Sequence, residues 1–310
     1  MIAVRDLAYV RYAAPDLDAM QAFLADFGLH LVERTATRLY MRGTGPQPFS
    51  HVTELAPNPR SIGIGLVTSD ASDIDRLAQS FGATVEDSPE PGGGRRVRLT
   101  DPAGFIVDVV HGQRPAEPIA TREPVPANPA TGRRRLGQTV RTSVAPAQVV
   151  GVGHVLLLVP DFAAAMRFYC EILGFRASDS YFAGDPANVI ASFLHCGLGE
   201  EYTDHHTLAL VTAQDGVARI DHSAFEVLDF DDLVQGGEYL KSRGHKHVWG
   251  VGRHIEGSQL FDYWRDPAGH KIEHWTDGDL VNDSTPAGLA PFGPQGLSQW
   301  GPPLTPEFFS

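Results

Sequence analysis

The sequence contains an internal repeat, and this repeat constrains the fold more than any other feature. Residues 7–28 and 152–174 share one pattern: an apolar run typical of a strand, a Pro-Asp pair, and an amphipathic stretch that ends in glycine. The aspartate of each pair is suited to a helix N-cap, and the final glycine to the left-handed residue that ends a helix. A chain that repeats such a unit is predicted to fold as two similar halves.

A second repeated motif closes each half. Asp101-Pro-Ala-Gly and Asp266-Pro-Ala-Gly each lie between two strand-like runs, where this composition favours a tight turn. A weaker strand and helix pattern recurs at residues 62–81 and 223–243. Four modules, each a strand followed by a helix and further strands, are the simplest interpretation. They are arranged as two pairs and predict an α+β fold.

The distribution of prolines divides the 310 residues into segments. Residues 113–147 contain six prolines and little apolar periodicity, which is typical of a linker. We therefore predict an N-terminal domain at residues 1–112, this Pro-rich linker, and a C-terminal domain at residues 148–285. Residues 286–310 combine prolines with aromatic residues, and they form either a floppy tail or an arm that lies on the domain or on a neighbouring subunit.

Composition argues against several kinds of partner. The chain has 25 Lys and Arg against 38 Asp and Glu, and the net charge of −13 disfavours nucleic acid and anionic membranes. The most apolar stretch, residues 149–160, is shorter than the ~20 residues that a transmembrane helix needs, and no signal peptide is recognisable. Two cysteines, Cys170 and Cys196, provide no disulfide framework, so we expect a cytoplasmic protein.

Three polar residues interrupt strand-like apolar runs in the second half, which also holds ten of the 13 histidines. They are His154, His222 and Glu273, and burying them is costly unless something compensates. Two histidines and one carboxylate form the facial triad of non-haem iron sites, which leaves the opposite positions open for substrate and dioxygen. The first half has poor chelators at the corresponding positions, namely Tyr9, approximately Ser61, and Asp108. The chemistry is therefore expected in the second half.

The motifs around the three candidate ligands occur in a fixed order. They are Gly153-His-Val, His222-Ser-Ala-Phe-Glu-Val, and Asp266-Pro-Ala-Gly-His-Lys-Ile-Glu. Together they resemble the type I extradiol ring-cleaving dioxygenases of the vicinal oxygen chelate superfamily, and the resemblance covers essentially the whole chain. It implies two tandem domains of paired βαβββ modules, each a partly closed β-barrel flanked by helices. It also implies that His154, His222 and Glu273 bind the metal and that the N-terminal domain is metal-free.

Three further motifs match the same family and imply catalytic roles. His206, in Asp204-His-His-Thr-Leu-Ala, would be the acid-base residue, with a pKa near neutrality. His254, in Gly252-Arg-His, would contact the substrate. Tyr263, in Phe261-Asp-Tyr, would donate a hydrogen bond to the deprotonated catechol oxygen. The remaining histidines of this half are predicted to lie on the surface or behind the site, and they are His195, His205, His245, His247, His270 and His274.

The resemblance implies an extradiol dioxygenase that opens the ring of a catechol-type substrate next to the vicinal diol, in aromatic compound catabolism. It implies Fe(II), with Mn(II) possible in the same triad, O2 as co-substrate, and a homo-oligomer. A glyoxalase-like lyase or isomerase is one alternative, but such sites gather four ligands from two modules. A protein that binds or sequesters aromatic ligands without turnover is the other, and it has no need of His206, His254 and Tyr263 together.

Overall fold

The first half of the chain folds into two successive βαβββ modules. The computed structural model describes residues 2–293 and 297–309. The first module contains β1 (Val4–Ala14), α1 (Leu17–Phe27), β2 (His30–Arg34), β3 (Arg38–Arg42) and β4 (His51–Leu55). The second contains β5 (Arg60–Thr68), α2 (Ala71–Phe81), β6 (Val85–Asp87), β7 (Arg95–Thr100) and β8 (Ile106–His111).

The second half repeats this order with a few additions. Its third module contains β9 (Val149–Val159), α3 (Phe162–Met166) with a π-helical continuation at Arg167–Ile172, β10 (Phe175–Phe182), β11 (Val189–Cys196), β12 (Thr203–Asp204) and β13 (Leu208–Thr212). Its fourth contains β14 (Arg219–Val227), α4 (Phe230–Ser242), β15 (Lys246–His254), β16 (Leu260–Arg265) and β17 (Lys271–Thr276). The short strands β18 (Leu280–Val281), β19 (Gly288–Pro291) and β20 (Ser298–Trp300) follow.

The predicted helix ends follow from local chemistry. Asp16 accepts hydrogen bonds from the backbone N–H groups of the first turn of α1, and Asp161 does the same for α3. Gly28 ends α1 with φ of 110°, a conformation that only glycine adopts at little cost. A Cβ at this position would also lie 2.1 Å from the carbonyl oxygen of Ala147, so a larger residue would push α1 away from the end of the linker. The repeated Pro-Asp and glycine signals are thus confirmed as helix boundaries.

Two large sheets carry the fold, and each joins two modules through an antiparallel central pair. The first has the order β2-β3-β4-β1-β5-β8-β7-β6, and the second β19-β10-β11-β13-β9-β14-β17-β16-β15-β20. Both sheets end in free edge strands, so neither closes into a complete barrel. The predicted α+β fold of paired βαβββ modules is confirmed. The domain limits remain predictions, supported by the division of strands between the sheets.

Specific contacts hold the two halves and the linker together. His274 Nε2 lies 2.7 Å from the carbonyl oxygen of Phe27, and Tyr169 Oη donates to Asp101 Oδ2 over 2.9 Å. In the linker, the Arg122 guanidinium binds both oxygens of Asp229 at the start of α4. Among the described residues, no helix is both long and apolar enough to cross a lipid bilayer.

Candidate active site

Three neighbouring strands of the second sheet bring the predicted ligands together. His154 lies on β9, His222 on β14 and Glu273 on β17, and β14 is the strand between the other two. Glu273 Oε2 lies 3.3 Å from His154 Nε2 and 3.4 Å from His222 Nε2. All three side chains are buried, and one ligand atom of each lies within 4.8 Å of the others. His154 and Glu273, which are more than 100 residues apart in the sequence, thus meet at one point together with His222.

The chemistry of this cluster fits a divalent metal ion. Both carboxylate oxygens of Glu273 are fully buried and accept no hydrogen bond from the described residues, which is costly for a charged group. Cis ligands that each lie about 2.1 Å from a first-row metal are roughly 3 Å apart, close to the separations seen here. Burial raises the pKa of Glu273, but the adjacent His154 and His254 hold it below its ordinary value. The carboxylate is therefore ionised, as metal binding requires.

Asp221 supports the histidine ligand on β14. Its Oδ2 lies 2.8 Å from His222 Nδ1, and Lys271 Nζ lies 3.0 Å from the same oxygen. Burial raises the pKa of Asp221, but Lys271 and His222 lower it below its ordinary value, so Asp221 is a carboxylate. Such partners orient a metal-binding imidazole and fix the position of its proton. Sequence reasoning missed this role, although the adjacent Asp-His pair was a possible signal.

The three residues with predicted catalytic roles surround the same point. His254 Nε2 lies 2.9 Å from Tyr263 Oη and 3.7 Å from Glu273 Oε1. The His206 ring lies 4.2 Å from the His154 ring, measured between centroids. Burial, followed by the charge of Glu273, raises the pKa of Tyr263 well above its ordinary value, so Tyr263 remains a hydrogen-bond donor.

These side chains open onto a cavity of about 160 Å³. Five of the six predicted site residues line it, and Glu273 lies just behind its wall. The rest of the wall is mostly apolar and includes Leu156, Tyr181, Phe193, Val211 and Trp249. A largely apolar cavity with a few convergent polar groups is the usual form of a small-molecule site.

The C-terminal segment forms part of the cavity wall. It adds β19 and β20 to the edges of the second sheet, and it contributes Phe292, Leu297, Phe308 and Phe309 to the cavity wall. The sequence left residues 286–310 as either a floppy tail or an arm. The described residues of this segment form an arm that lies on its own domain. Residues 294–296 and 310 of this predicted segment lie outside the described residues.

Comparison with known proteins agrees with this geometry. Residues 151–274 match the model of the Glyoxalase/Bleomycin resistance protein/Dioxygenase superfamily. Metapyrocatechase 2 of Cupriavidus necator is 31% identical over 99% of this chain and 92% of its own length. The chain belongs to the extradiol dioxygenases of this superfamily. A second relative, the iron-dependent extradiol dioxygenase of Rhodococcus jostii, is 26% identical over 92% of this chain and 93% of its own.

A solved structure shares the architecture of this extradiol dioxygenase. The Mn(II)-bound glyoxalase from Novosphingobium aromaticivorans superimposes with a TM-score of 0.79 and 25% identity, covering 99% of this chain and 94% of that one. The predicted arrangement in two tandem domains of the vicinal oxygen chelate type is thus confirmed.

The extradiol dioxygenase surrounds His206 with groups that sequence reasoning did not assign. His205 Nδ1 lies 3.1 Å from His206 Nδ1, and His205 Nε2 lies 2.6 Å from Asp179 Oδ2. Burial, with the nearby His154, lowers the pKa of His206 well below its ordinary value. The expected near-neutral pKa is therefore corrected: His206 is a neutral imidazole in this environment, because burial penalises its charged form.

The first half of the dioxygenase replaces the ligand triad with ion pairs. Tyr9 Oη donates to Asp108 Oδ2 over 2.8 Å, and the Arg98 guanidinium binds both oxygens of Asp108. The position that corresponds to His222 is Gly63, not Ser61, because strand register and the helix N-caps align the two halves. A Cβ at Gly63 would lie 1.9 Å from the Ile106 carbonyl oxygen, so no ligand side chain fits there.

The remaining histidines of the second half have local partners. His205, His195 and His274 are buried, so these three do not take the surface position among the two that were predicted. His195 contacts Ser178, and His274 contacts the backbone of Phe27. The other three pair with aspartates and are partly exposed: His245 with Asp26, His247 with Asp262, and His270 with Asp266.

Proposed function

We propose that this extradiol dioxygenase opens the ring of a catechol-type substrate next to the vicinal diol, in the catabolism of aromatic compounds. One observation carries the proposal: a buried two-histidine, one-carboxylate cluster shares a cavity with His206, His254 and Tyr263. A protein that only binds aromatic ligands has no need for this combination.

We propose that His154, His222 and Glu273 hold Fe(II). Two neutral imidazoles and one carboxylate would leave the centre with a net charge near +1, which favours an anionic, chelating diol. Bound Fe(II) would supply the redox chemistry that makes dioxygen reactive toward the diol. The iron-dependent relative supports iron, and the Mn(II)-bound neighbour supports Mn(II) as an alternative occupant of the same triad.

His254 and Tyr263 would orient the substrate. The carbonyl oxygen of Leu297 lies 2.7 Å from His254 Nδ1, and because a carbonyl only accepts, this nitrogen carries the proton. His254 Nε2 then accepts from Tyr263 Oη in the absence of substrate. On binding, the Tyr263 hydroxyl would turn its proton toward the deprotonated diol oxygen.

His206 would handle the proton of the second hydroxyl. Its Nδ1 faces His205, so Nε2 is the nitrogen available to a molecule in the cavity. Being neutral, His206 would accept a proton from the bound diol and return it as the ring opens. A positioned acid-base group of this kind contributes about 10²- to 10⁴-fold in rate.

Oxygen uptake tests the proposal against both alternatives. The protein would be reconstituted anaerobically with Fe(II) and mixed with a panel of monocyclic catechols and biaryl diols in oxygenated buffer. We expect stoichiometric oxygen consumption and a yellow ring-fission product for at least one ring type. Diol binding without oxygen uptake would indicate a sequestering protein. Metal-dependent isomerisation of a non-aromatic substrate without oxygen uptake would indicate a glyoxalase-like enzyme.

We also propose a cytoplasmic homo-oligomer, with no nucleic-acid or membrane partner. Both cysteines are free thiols, which suits a reducing compartment. Leu31 and Leu55 are about half exposed on the first sheet, as expected for residues that a second subunit covers. Light scattering would decide, since a mass near 33.6 kDa would exclude the oligomer.

A further inference from the structure

Lys271 is a buried lysine that has no role in the proposed chemistry. It lies on β17 two residues before Glu273, on the same face of the strand, and only 3% of it is exposed. Lysine is almost never buried to this degree unless its charge is paired. Its ammonium nitrogen lies 3.0 Å and 3.2 Å from the two oxygens of Asp221.

A strand irregularity aims Asp221 at this lysine. The pairing of β14 with β9 shifts register between Ile220 and His222, which removes Asp221 from the regular ladder. Such bulges redirect a side chain that would otherwise alternate to the other face. As a result, consecutive residues Asp221 and His222 both face the cavity. Asp221 contacts Nδ1 of His222, and the other ring nitrogen, Nε2, faces Glu273.

Lys271 offsets the negative charge that Asp221 adds to the metal site. Without Lys271, the two carboxylates Glu273 and Asp221 would neutralise a divalent ion, and the site would lose its attraction for an anionic diol. The ammonium of Lys271 restores a net charge near +1. It also engages both oxygens of Asp221, which holds this carboxylate against His222 rather than leaving it free to rotate.

Phe308 of the C-terminal arm covers the ion pair. Its ring centroid lies 3.9 Å from Lys271 Nζ, a distance at which the ring face attracts a cation. The ring is buried between Trp249 and Tyr263 and excludes water from the ammonium. Desolvation strengthens the attraction between Lys271 and Asp221, because fewer water dipoles screen it.

We propose that Lys271, covered by Phe308, is a positioning residue that holds Asp221 on ligand His222 and thereby sets metal affinity. This inference rests on the proposed function, because it assigns His222 to the metal. It predicts that the C-terminal segment influences the metal through a series of contacts. Phe308 acts on Lys271, Lys271 acts on Asp221, and Asp221 acts on His222.

Metal titration of the apo-protein tests this series of contacts without measuring turnover. Fe(II) would be added anaerobically to the wild type, Lys271→Met, Phe308→Leu and the double variant, and dissociation constants determined by calorimetry. We expect Lys271→Met to weaken binding about 10- to 100-fold, the usual effect of removing support behind a ligand. Loss of the positive charge acts in the opposite direction, because an ammonium near the site repels the metal ion. Phe308→Leu keeps the apolar bulk but loses the ring face, and should weaken binding roughly threefold to tenfold.

The double variant and a rescue variant make the result specific. If Phe308 acts through Lys271, the double variant binds metal no more weakly than Lys271→Met alone. Lys271→Arg keeps the charge and should recover most of the lost affinity, whereas a purely structural role would not respond to charge. Lys241→Met, which removes an exposed lysine paired with Glu238, is the matched control and should leave affinity unchanged.

The possible failures are distinguishable. Unchanged or tighter binding in Lys271→Met, or additive losses in the double variant, would overturn the positioning role while leaving the proposed function intact. A wild-type protein that binds no Fe(II), Mn(II) or other divalent ion would overturn the proposed function and this inference together.

Discussion

His206 Nδ1 lies 3.1 Å from His205 Nδ1, so only one of these two nitrogens can carry the proton between them. Asp179 accepts from His205 Nε2, which leaves the Nδ1 of a neutral His205 as an acceptor. With His205 in this form, His206 carries its proton on Nδ1, and its Nε2 presents a lone pair to the cavity. The pair Asp179 and His205 thus selects the tautomer in which His206 can accept a proton from a bound diol.

Asp179→Asn tests this tautomer selection. The amide can donate to His205 Nε2, which would reverse the hydrogen bonds and place the proton of His206 on Nε2. We expect kcat to fall roughly 10-fold or more while KM and iron content change little. Asp18→Asn, at an exposed aspartate of the first half, is the control. Equal kinetics in the two variants would remove Asp179 from the proton pathway.

His206→Asn separates an acid-base residue from a ligand. The variant should retain iron and bind catechol, because His206 is outside the triad, yet open the ring about 10²- to 10⁴-fold more slowly. Metal analysis and single-turnover kinetics measure the two effects separately. Loss of iron would make His206 a ligand, and wild-type turnover would direct the search for the acid to His205 or His254.

Alanine substitutions at His154, His222 and Glu273 should each abolish stable metal binding and leave the fold largely intact. The three side chains lie on long strands whose backbone pairing does not depend on them. Iron content and circular dichroism provide the two measurements. Tyr9→Phe, at the counterpart of His154 in the first half, should keep full iron content. A ligand variant with wild-type iron would remove that residue from the triad.

Asp108→Asn should lower stability and not metal content. Asp108 is fully buried and lies near three guanidinium groups, those of Arg98, Arg96 and Arg11. Removing its charge weakens these contacts, although Arg11 and Arg96 keep other carboxylate partners and Arg98 is partly exposed. We therefore expect a loss of about 1–3 kcal/mol, typical of a buried hydrogen-bonding group that loses its match. Thermal melting should detect the loss, while iron per folded molecule should stay at the wild-type level. A loss of iron without a loss of stability would contradict the structural role of the first half.

His51 should make the protein less stable in mild acid. Burial lowers its pKa from 6.5 to about 4, so the unfolded chain binds a proton that the folded chain excludes. Its contribution to stability is therefore complete above about pH 6.5 and decreases as the pH falls toward 4. The melting temperature of His51→Phe should fall less steeply between pH 7 and pH 5 than that of the wild type.

A matched variant separates titration from packing at this position. Thr53→Val removes the 3.0 Å contact between Thr53 Oγ1 and His51 Nε2 but keeps the imidazole. It should shift the melting temperature at every pH and keep the wild-type slope. Parallel curves for His51→Phe and the wild type would show that His51 does not titrate between the folded and unfolded states.

Much of this protein was predictable from the sequence because the informative signals are local. A Pro-Asp pair specifies a helix start, a glycine specifies its end, and an Asp-Pro-Ala-Gly segment specifies a turn. Repeating these signals defined the modules and their order. The predicted ligands could be recognised because a histidine or glutamate inside an apolar strand is costly without a partner. His154 and His222 occupy equivalent places in the third and fourth modules, and Glu273 lies on β17 of the fourth.

Only the tertiary structure decided the features that depend on contacts between distant segments. The register shift that turns Asp221 toward Lys271 breaks the two-residue period of a strand, and sequence patterns cannot reveal it. The placement of Phe308 over Lys271 depends on how an aperiodic, proline-rich arm packs on a finished sheet. Strand register likewise decided that Gly63, and not Ser61, corresponds to His222. Such contacts depend on the assembled shape of the two halves, which no short stretch of the chain specifies.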